Sequence, residues 1–286
     1  MTTRAQILIT AQELAEQLER ETLLPADAPR TRLLDVRWTL PRPDGRPDYT
    51  AGHIPGAVYV DLDTELSQRL SLQHGRHPLP EPGALQDAAR RWGVRKQDAV
   101  VVYDGWGNLA SARAWWLLRS HGFEDVRLLD GALPAWQSAG YPLETGDVRP
   151  EPGDVVLDPG RLPVLELAEV APFVAAGGAL LDARAPERYL GEEEPVDPRA
   201  GHIPGALNTP TGENLDADGR FLMSAELRQR FLDAGVRDGV PVASYCGSGV
   251  TAAHNLVALA LAGMPGALFP GSWSQWSNHD LPVALG

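Results

Sequence analysis

The chain has 286 residues, 43% of them hydrophobic, which is enough for two domains of ordinary size with a packed core in each. A formal charge of −13, with no basic patch to offset it, excludes binding to nucleic acid or anionic lipid, and no run approaches the ~18 apolar residues of a membrane span. The one cysteine, Cys246, cannot form an internal disulfide, and the N-terminal residues lack the apolar stretch of a signal peptide, so a reducing cytoplasm is the expected location.

In chain order, short apolar runs at Leu33–Val36, Ala99–Tyr103 and Val126–Leu129 read as strands. Residues 110–121 carry apolar side chains at helical spacing and end before Gly122, a usual helix stop. The stretch from Gly146 to Asp154 is rich in proline, glycine and charge, which reads as an exposed linker and puts a domain boundary near residue 150. Beyond it come strands at Leu180–Asp182, Pro241–Tyr245 and Ala267–Phe269, with a helix over 250–262 that ends before Gly263. Alternating strands and helices imply an α/β fold with parallel strands covered on both faces.

The two halves repeat each other. Leu33-Leu-Asp-Val-Arg37 matches Leu180-Leu-Asp-Ala-Arg184, and Ala51-Gly-His-Ile-Pro-Gly-Ala57 recurs unchanged at 200–206. Val101-Val-Tyr-Asp104 matches Ala243-Ser-Tyr-Cys246, and the block ending at Trp136 matches the one ending at Trp276. The offsets, 140 to 149 residues, are too long for solenoid repeats and indicate a duplicated domain, 1–150 and 151–286, each half expected to fold separately.

Cys246 stands where an apolar run gives way to a helix, in Tyr245-Cys-Gly-Ser-Gly-Val-Thr-Ala252. A thiol there faces the free N–H groups and positive end of the helix dipole, which favour thiolate over thiol, and glycines on both sides of Ser248 let the backbone turn several N–H groups toward one point. These features point to a nucleophile in a loop that cradles an anion.

Duplication supplies an internal control. Residues present in both halves belong first to the fold: His53 and His202, Asp35 and Asp182, Arg37 and Arg184, Trp136 and Trp276. Residues unique to one half are candidates for chemistry. Asp104 occupies the place of Cys246, so only the second half can do thiol chemistry. Arg188 aligns with Pro41 and Arg199 with Thr50; both are arginines gained near the Cys loop, and guanidinium suits an anionic substrate. A cysteine phosphatase needs an arginine six residues after its nucleophile, where this chain has Ala252. A purely binding role for the whole chain is opposed by the intact Cys loop.

The paired Gly-His-Ile-Pro-Gly blocks, the Cys loop and the closing Gly271-Ser-Trp-Ser-Gln-Trp276 together resemble the two-domain rhodanese family of sulfurtransferases over nearly the whole chain. The resemblance implies two tandem rhodanese-like domains, the first catalytically inactive and the second catalytic, with the active site at their interface. Thiosulfate-preferring members carry basic residues after the nucleophile, whereas members preferring 3-mercaptopyruvate carry Cys-Gly-Ser-Gly-Val-Thr, the form present here. In that branch an Asp and a His from the first domain join the loop serine, and the matching residues are Asp63, His77 and Ser248. Arg188 carries over as a substrate-binding residue. The position nine residues later, usually a second arginine, is Asp197, so Arg199 is taken as the nearest substitute. This departure keeps thiosulfate open as donor.

The expected chemistry is a two-step transfer through a Cys246 persulfide. Arg188 and Arg199 would hold an anionic sulfur donor, the backbone of Gly247, Gly249, Val250 and Thr251 would stabilise the sulfur anions, and no metal or organic cofactor is called for. The acceptor would be a thiol or cyanide, thioredoxin being one family possibility.

Overall fold

The computed structural model describes residues 3–286 and contains two parallel sheets, one in each half. In the first, β1 (Leu8–Ile9), β2 (Thr31–Asp35), β3 (Val58–Tyr59), β4 (Ala99–Tyr103) and β5 (Val126–Leu129) lie in the order β1-β5-β4-β2-β3. In the second, β6 (Ala179–Asp182), β7 (Leu207–Asn208), β8 (Val242–Tyr245) and β9 (Ala267–Leu268) lie in the order β7-β6-β8-β9. Of the strands read from apolar runs, only β9 lies at a sheet edge. β1, β3 and β7, which no apolar run marked, have two residues each. The second half replaces β1 by a single bridge from Val164 to Leu268, where Pro163 lacks the N–H that would extend the ladder.

Helices cover both faces of each sheet. Alternation along β4 sends Val101 and Tyr103 into a cluster with Ile54, Leu133 and Trp136, and sends Val100 and Val102 to the opposite face. The second half has an equivalent outer cluster of Ile203, Ala243, Tyr245, Phe269 and Trp273. The remaining faces do not form two cores. They merge into one apolar cluster running through both halves, in which helix Ser111–Ser120 packs on helix Val250–Leu261. Both helices are buried almost all round, which explains their unusually apolar composition. Separate cores were expected for the two halves; they exist on the outer faces, while the inner faces complete each other.

The residues from Gly146 to Asp154 are mostly exposed, but the connection is not loose. Gly153 N–H donates to the Arg90 carbonyl, Asp158 N–H to that of His121, and Val155 is buried, so this segment runs back along the first half before entering the second. The repeated histidines fix turns. His53 donates through Nδ1 to the Tyr49 carbonyl at 2.9 Å and stacks on its ring, and His202 does the same with Tyr189 at 2.8 Å.

Register aligns the strand ends that matter. Asp35 lies opposite Tyr103 and Asp182 opposite Tyr245, so the loops opening at Asp104 and Cys246 both leave from the carboxyl end of a sheet, where parallel α/β folds place their sites.

Candidate active site

Cys246 follows the last residue of β8, and helix Val250–Leu261 begins four residues later. Gly249 makes the turn in the left-handed region at φ +80°, and a Cβ there would sit 2.3 Å from the Pro270 carbonyl oxygen, so the position admits only glycine. Helix Ser272–Trp276 clamps the loop from beyond: Trp273 N–H donates to the Cys246 carbonyl at 2.9 Å and Ser274 N–H to the Gly247 carbonyl at 2.8 Å. The Cys246 sulfur accepts the Gly249 N–H at 3.1 Å. The residue is only 2% exposed.

The first half closes that seam. Ser248 Oγ lies 2.7 Å from His77 Nδ1, and His77 Nε2 lies 3.3 Å from Asp63 Oδ1. Asp63 also accepts the Trp38 indole N–H at 2.9 Å, and Trp38 meets the His77 ring edge-on. The hydrogen bond from His77, above all, holds the Asp63 carboxyl below its usual range, against the effect of burial. An ionised Asp63 fixes the proton of His77 on Nε2, leaving Nδ1 to accept the Ser248 hydroxyl proton. Three residues that are 185 positions apart at the extremes, Asp63 to Ser248, are thus one hydrogen-bonded chain.

Sequence reasoning passed over Arg113. It lies fully buried in helix Ser111–Ser120, donating to the carbonyls of His77 at 2.9 Å and Gly249 at 3.1 Å. One guanidinium therefore ties the histidine segment of the first half to the cysteine loop of the second. Burial pulls its pKa down to about 10, with attraction to the Cys246 sulfur pulling the other way, so the group stays a cation at neutral pH. A charged residue directly before the apolar run Ala114–Leu118 was the available signal.

The arginines divide. Arg188, on helix Pro186–Leu190, reaches the loop: its Nη1 would lie 3.3 Å from a Cβ at Gly247. It is held by Glu194 at 2.7 Å and by Asp197 at 3.2 Å. Arg199 does not reach the loop, contrary to expectation. Its guanidinium is spent on the carbonyls of Trp276, Ser277, His279 and Leu281, which anchors the segment after the last helix. In its place Arg76, from the first half, brings Nη2 to 3.1 Å from the same Gly247 position. Of the loop residues, Gly247, Gly249 and Val250 lie at the sulfur's turn, and Thr251 is half-buried one step into the helix. Among the described residues none groups His, Cys, Asp and Glu side chains as a metal site would require.

A duplicated parallel α/β fold with a cysteine loop at the seam defines the class. The sequence pattern of the Rhodanese-like domain matches residues 10–139 and again 167–279, and the chain belongs to the rhodanese family. It is 50% identical over its whole length, and over 99% of the relative's, to SseB of Mycobacterium tuberculosis (strain ATCC 25618 / H37Rv), a protein named for thiosulfate sulfurtransferase activity. It is 45% identical, over 98% of both chains, to a Pseudomonas aeruginosa protein named for 3-mercaptopyruvate sulfurtransferase activity. Among solved structures, SseA from Escherichia coli, described as a 3-mercaptopyruvate sulfotransferase, superimposes with a TM-score of 0.81 at 33% identity, covering 95% of this chain and 99% of that one.

Proposed function

We propose that this protein is a sulfurtransferase that takes sulfane sulfur from 3-mercaptopyruvate onto Cys246 and passes it to a thiol or cyanide. In this reading residues 1–150 supply Asp63, His77 and the interface, and residues 151–286 carry the nucleophile. The reading rests on one observation: Ser248, two residues from the sulfur, is hydrogen-bonded across the seam to a His–Asp pair. Thiolate attacks the donor sulfur, the carbon–sulfur bond breaks, and its electrons leave on carbon as the enolate of pyruvate. The donor's thiol proton, passed through Ser248 and His77, ends on that carbon, leaving a Cys246 persulfide and pyruvate. N–H groups of the loop stabilise the sulfur anions. No residue in this scheme calls for a metal or organic cofactor.

The neutral Gly-Ser-Gly after Cys246 favours the mercaptopyruvate branch over thiosulfate, whose sulfonate needs basic loop residues. Thiosulfate is the second reading, supported by the relation to SseB and by Asp197 where the branch pattern has arginine. Incubation with 3-mercaptopyruvate should add about 32 Da, one sulfur, to the intact protein, and cyanide should remove it. Ser248→Ala should lower kcat by about 10²-fold with KM little changed, the signature of a lost proton-transfer group. A higher specificity constant with thiosulfate would overturn the donor; no added mass with either donor would overturn the reaction.

A further inference from the structure

Two guanidinium groups converge on Gly247, one from each half. Arg76 Nη2 and Arg188 Nη1 stand 3.1 Å and 3.3 Å from the position a Cβ would take there, so the missing side chain of the residue after the nucleophile is the space both arginines point into. Between them lies Asp197, paired with Arg76 through Oδ1 and with Arg188 through Oδ2 at 3.2 Å. One carboxylate bridging two guanidinium groups beside the nucleophile is the arrangement an incoming carboxylate would need.

We propose that Arg76 is a donor-binding residue, supplied by the first half, which with Arg188 receives the donor's carboxylate, and that Asp197 occupies this subsite until the donor displaces it. The inference rests on the proposed sulfur-transfer reaction for its substrate. Arg76 is pinned for the task. Its own N–H donates to Ser274 Oγ at 3.1 Å, and the preceding Gly75, at φ +87°, approaches the Gly271 carbonyl more closely than a side chain would allow. Its Nε is buried without a partner among the described residues, a donor left over after the pair with Asp197. Glu194 also holds Arg188, through Nε and the same Nη2 that meets Asp197, so the two carboxylates offset the two cations. An added anion is therefore attracted less than by an unopposed arginine pair, and its affinity is set by how readily Asp197 gives way. Burial pushes the Asp197 carboxyl up while Arg76 pulls it down, so a carboxylate here is under strain from desolvation and is held chiefly by the arginines it would have to release.

The test compares two reagents of similar size, iodoacetate and iodoacetamide, in their rates of alkylating Cys246 in the full-length protein. Only the first carries a carboxylate, so the ratio of rates reads carboxylate recognition beside the sulfur whether or not sulfur transfer occurs. Arg76→Ala should lower the iodoacetate/iodoacetamide ratio about tenfold and raise KM for 3-mercaptopyruvate by a similar factor, with kcat within about threefold, the loss of a charge-assisted bond made alike in ground and transition states. Asp197→Asn should move both quantities the other way, and it serves as the second variant should Arg76→Ala fold poorly. Equal changes with both reagents would make Arg76 a latch between the halves and overturn the proposal. So would Asp197→Asn lowering the ratio. Failure of wild-type protein to form a persulfide would remove the reaction but leave the alkylation ratio free to decide the subsite.

Discussion

The loops after β4 and β8 occupy equivalent places in the two halves and solve opposite problems. In the first, the Asp104 carboxylate turns back into its own loop and accepts the N–H groups of Trp106, Asn108, Ala110 and Ser111 at 2.8 to 3.1 Å. In the second, Cys246 replaces the carboxylate. Ser248 and Val250, the counterparts of Trp106 and Asn108, have N–H groups that no acceptor takes among the described residues. In the first copy the chain's own carboxylate fills the turn; in the second the Cys246 sulfur takes, among the described residues, the Gly249 N–H alone. Burial pushes the Asp104 carboxyl up, and the four N–H bonds pull it back only in part.

The halves also hold each other's loops. Arg113 of the first half bonds the Gly249 carbonyl, and His254 of the second bonds the Gly107 carbonyl at 3.2 Å. Gly107 and Gly249 are equivalent residues, both in the left-handed region. One pin is a cation near the sulfur and the other a neutral ring stacked on Phe221.

The comparison breaks most sharply at the nucleophile. Cys246→Ser should reduce turnover by about 10³-fold or more, and adding Asp104→Cys to that variant should restore nothing, because Trp106 stands where Ser248 would be. Steady-state assay with 3-mercaptopyruvate and cyanide reads both. Recovered activity would mean that the cradle alone suffices.

Next come the pins. Arg113→Met should cost about 2–4 kcal/mol in urea denaturation, because it strips a donor from buried carbonyls on both sides of the seam. His254 is pushed down to about 3 by burial, against an ordinary value of 6.5. Between those limits the unfolded chain binds a proton that the folded chain refuses, so stability falls as pH drops from 6.5 toward 3, by up to about 1.4 kcal/mol per pH unit. His254→Gln should flatten that slope in denaturation series at pH 4 and pH 7. The smallest difference lies in the glycines. Gly249→Ala should destabilise by about 1 kcal/mol more than Gly107→Ala, since a Cβ would meet backbone oxygen at 2.3 Å in one case and the movable end of Leu215 at 2.7 Å in the other; thermal melts would show the order.

Much of this was legible in the chain. Duplication, the inner strands, the two buried helices and the Cys loop each leave a pattern several residues long. Asp63, His77 and Ser248 came from resemblance, and the fold brings them to one line. What stayed hidden had no local signature. Arg76 is one basic residue in a polar stretch, and its meaning lies in Asp197, 121 positions away. Arg199 sits near the right segment in sequence, but its guanidinium turns to carbonyls at 276–281, an outcome set by how the C-terminal residues return. The shared core was equally hidden, because apolar composition measures how much surface will be buried and is silent about which surface covers it.

That shared core changes what the covalent connection is for. Glu151 and Pro152 lie exposed, in a stretch a protease could reach, while the apolar contact that unites the halves lies elsewhere. A single cut there should give two fragments that stay associated and still turn over donor, yet fail to reassemble efficiently once separated and diluted. The peptide link raises the local concentration of one half around the other during folding, and afterwards the interlocked surfaces hold by themselves.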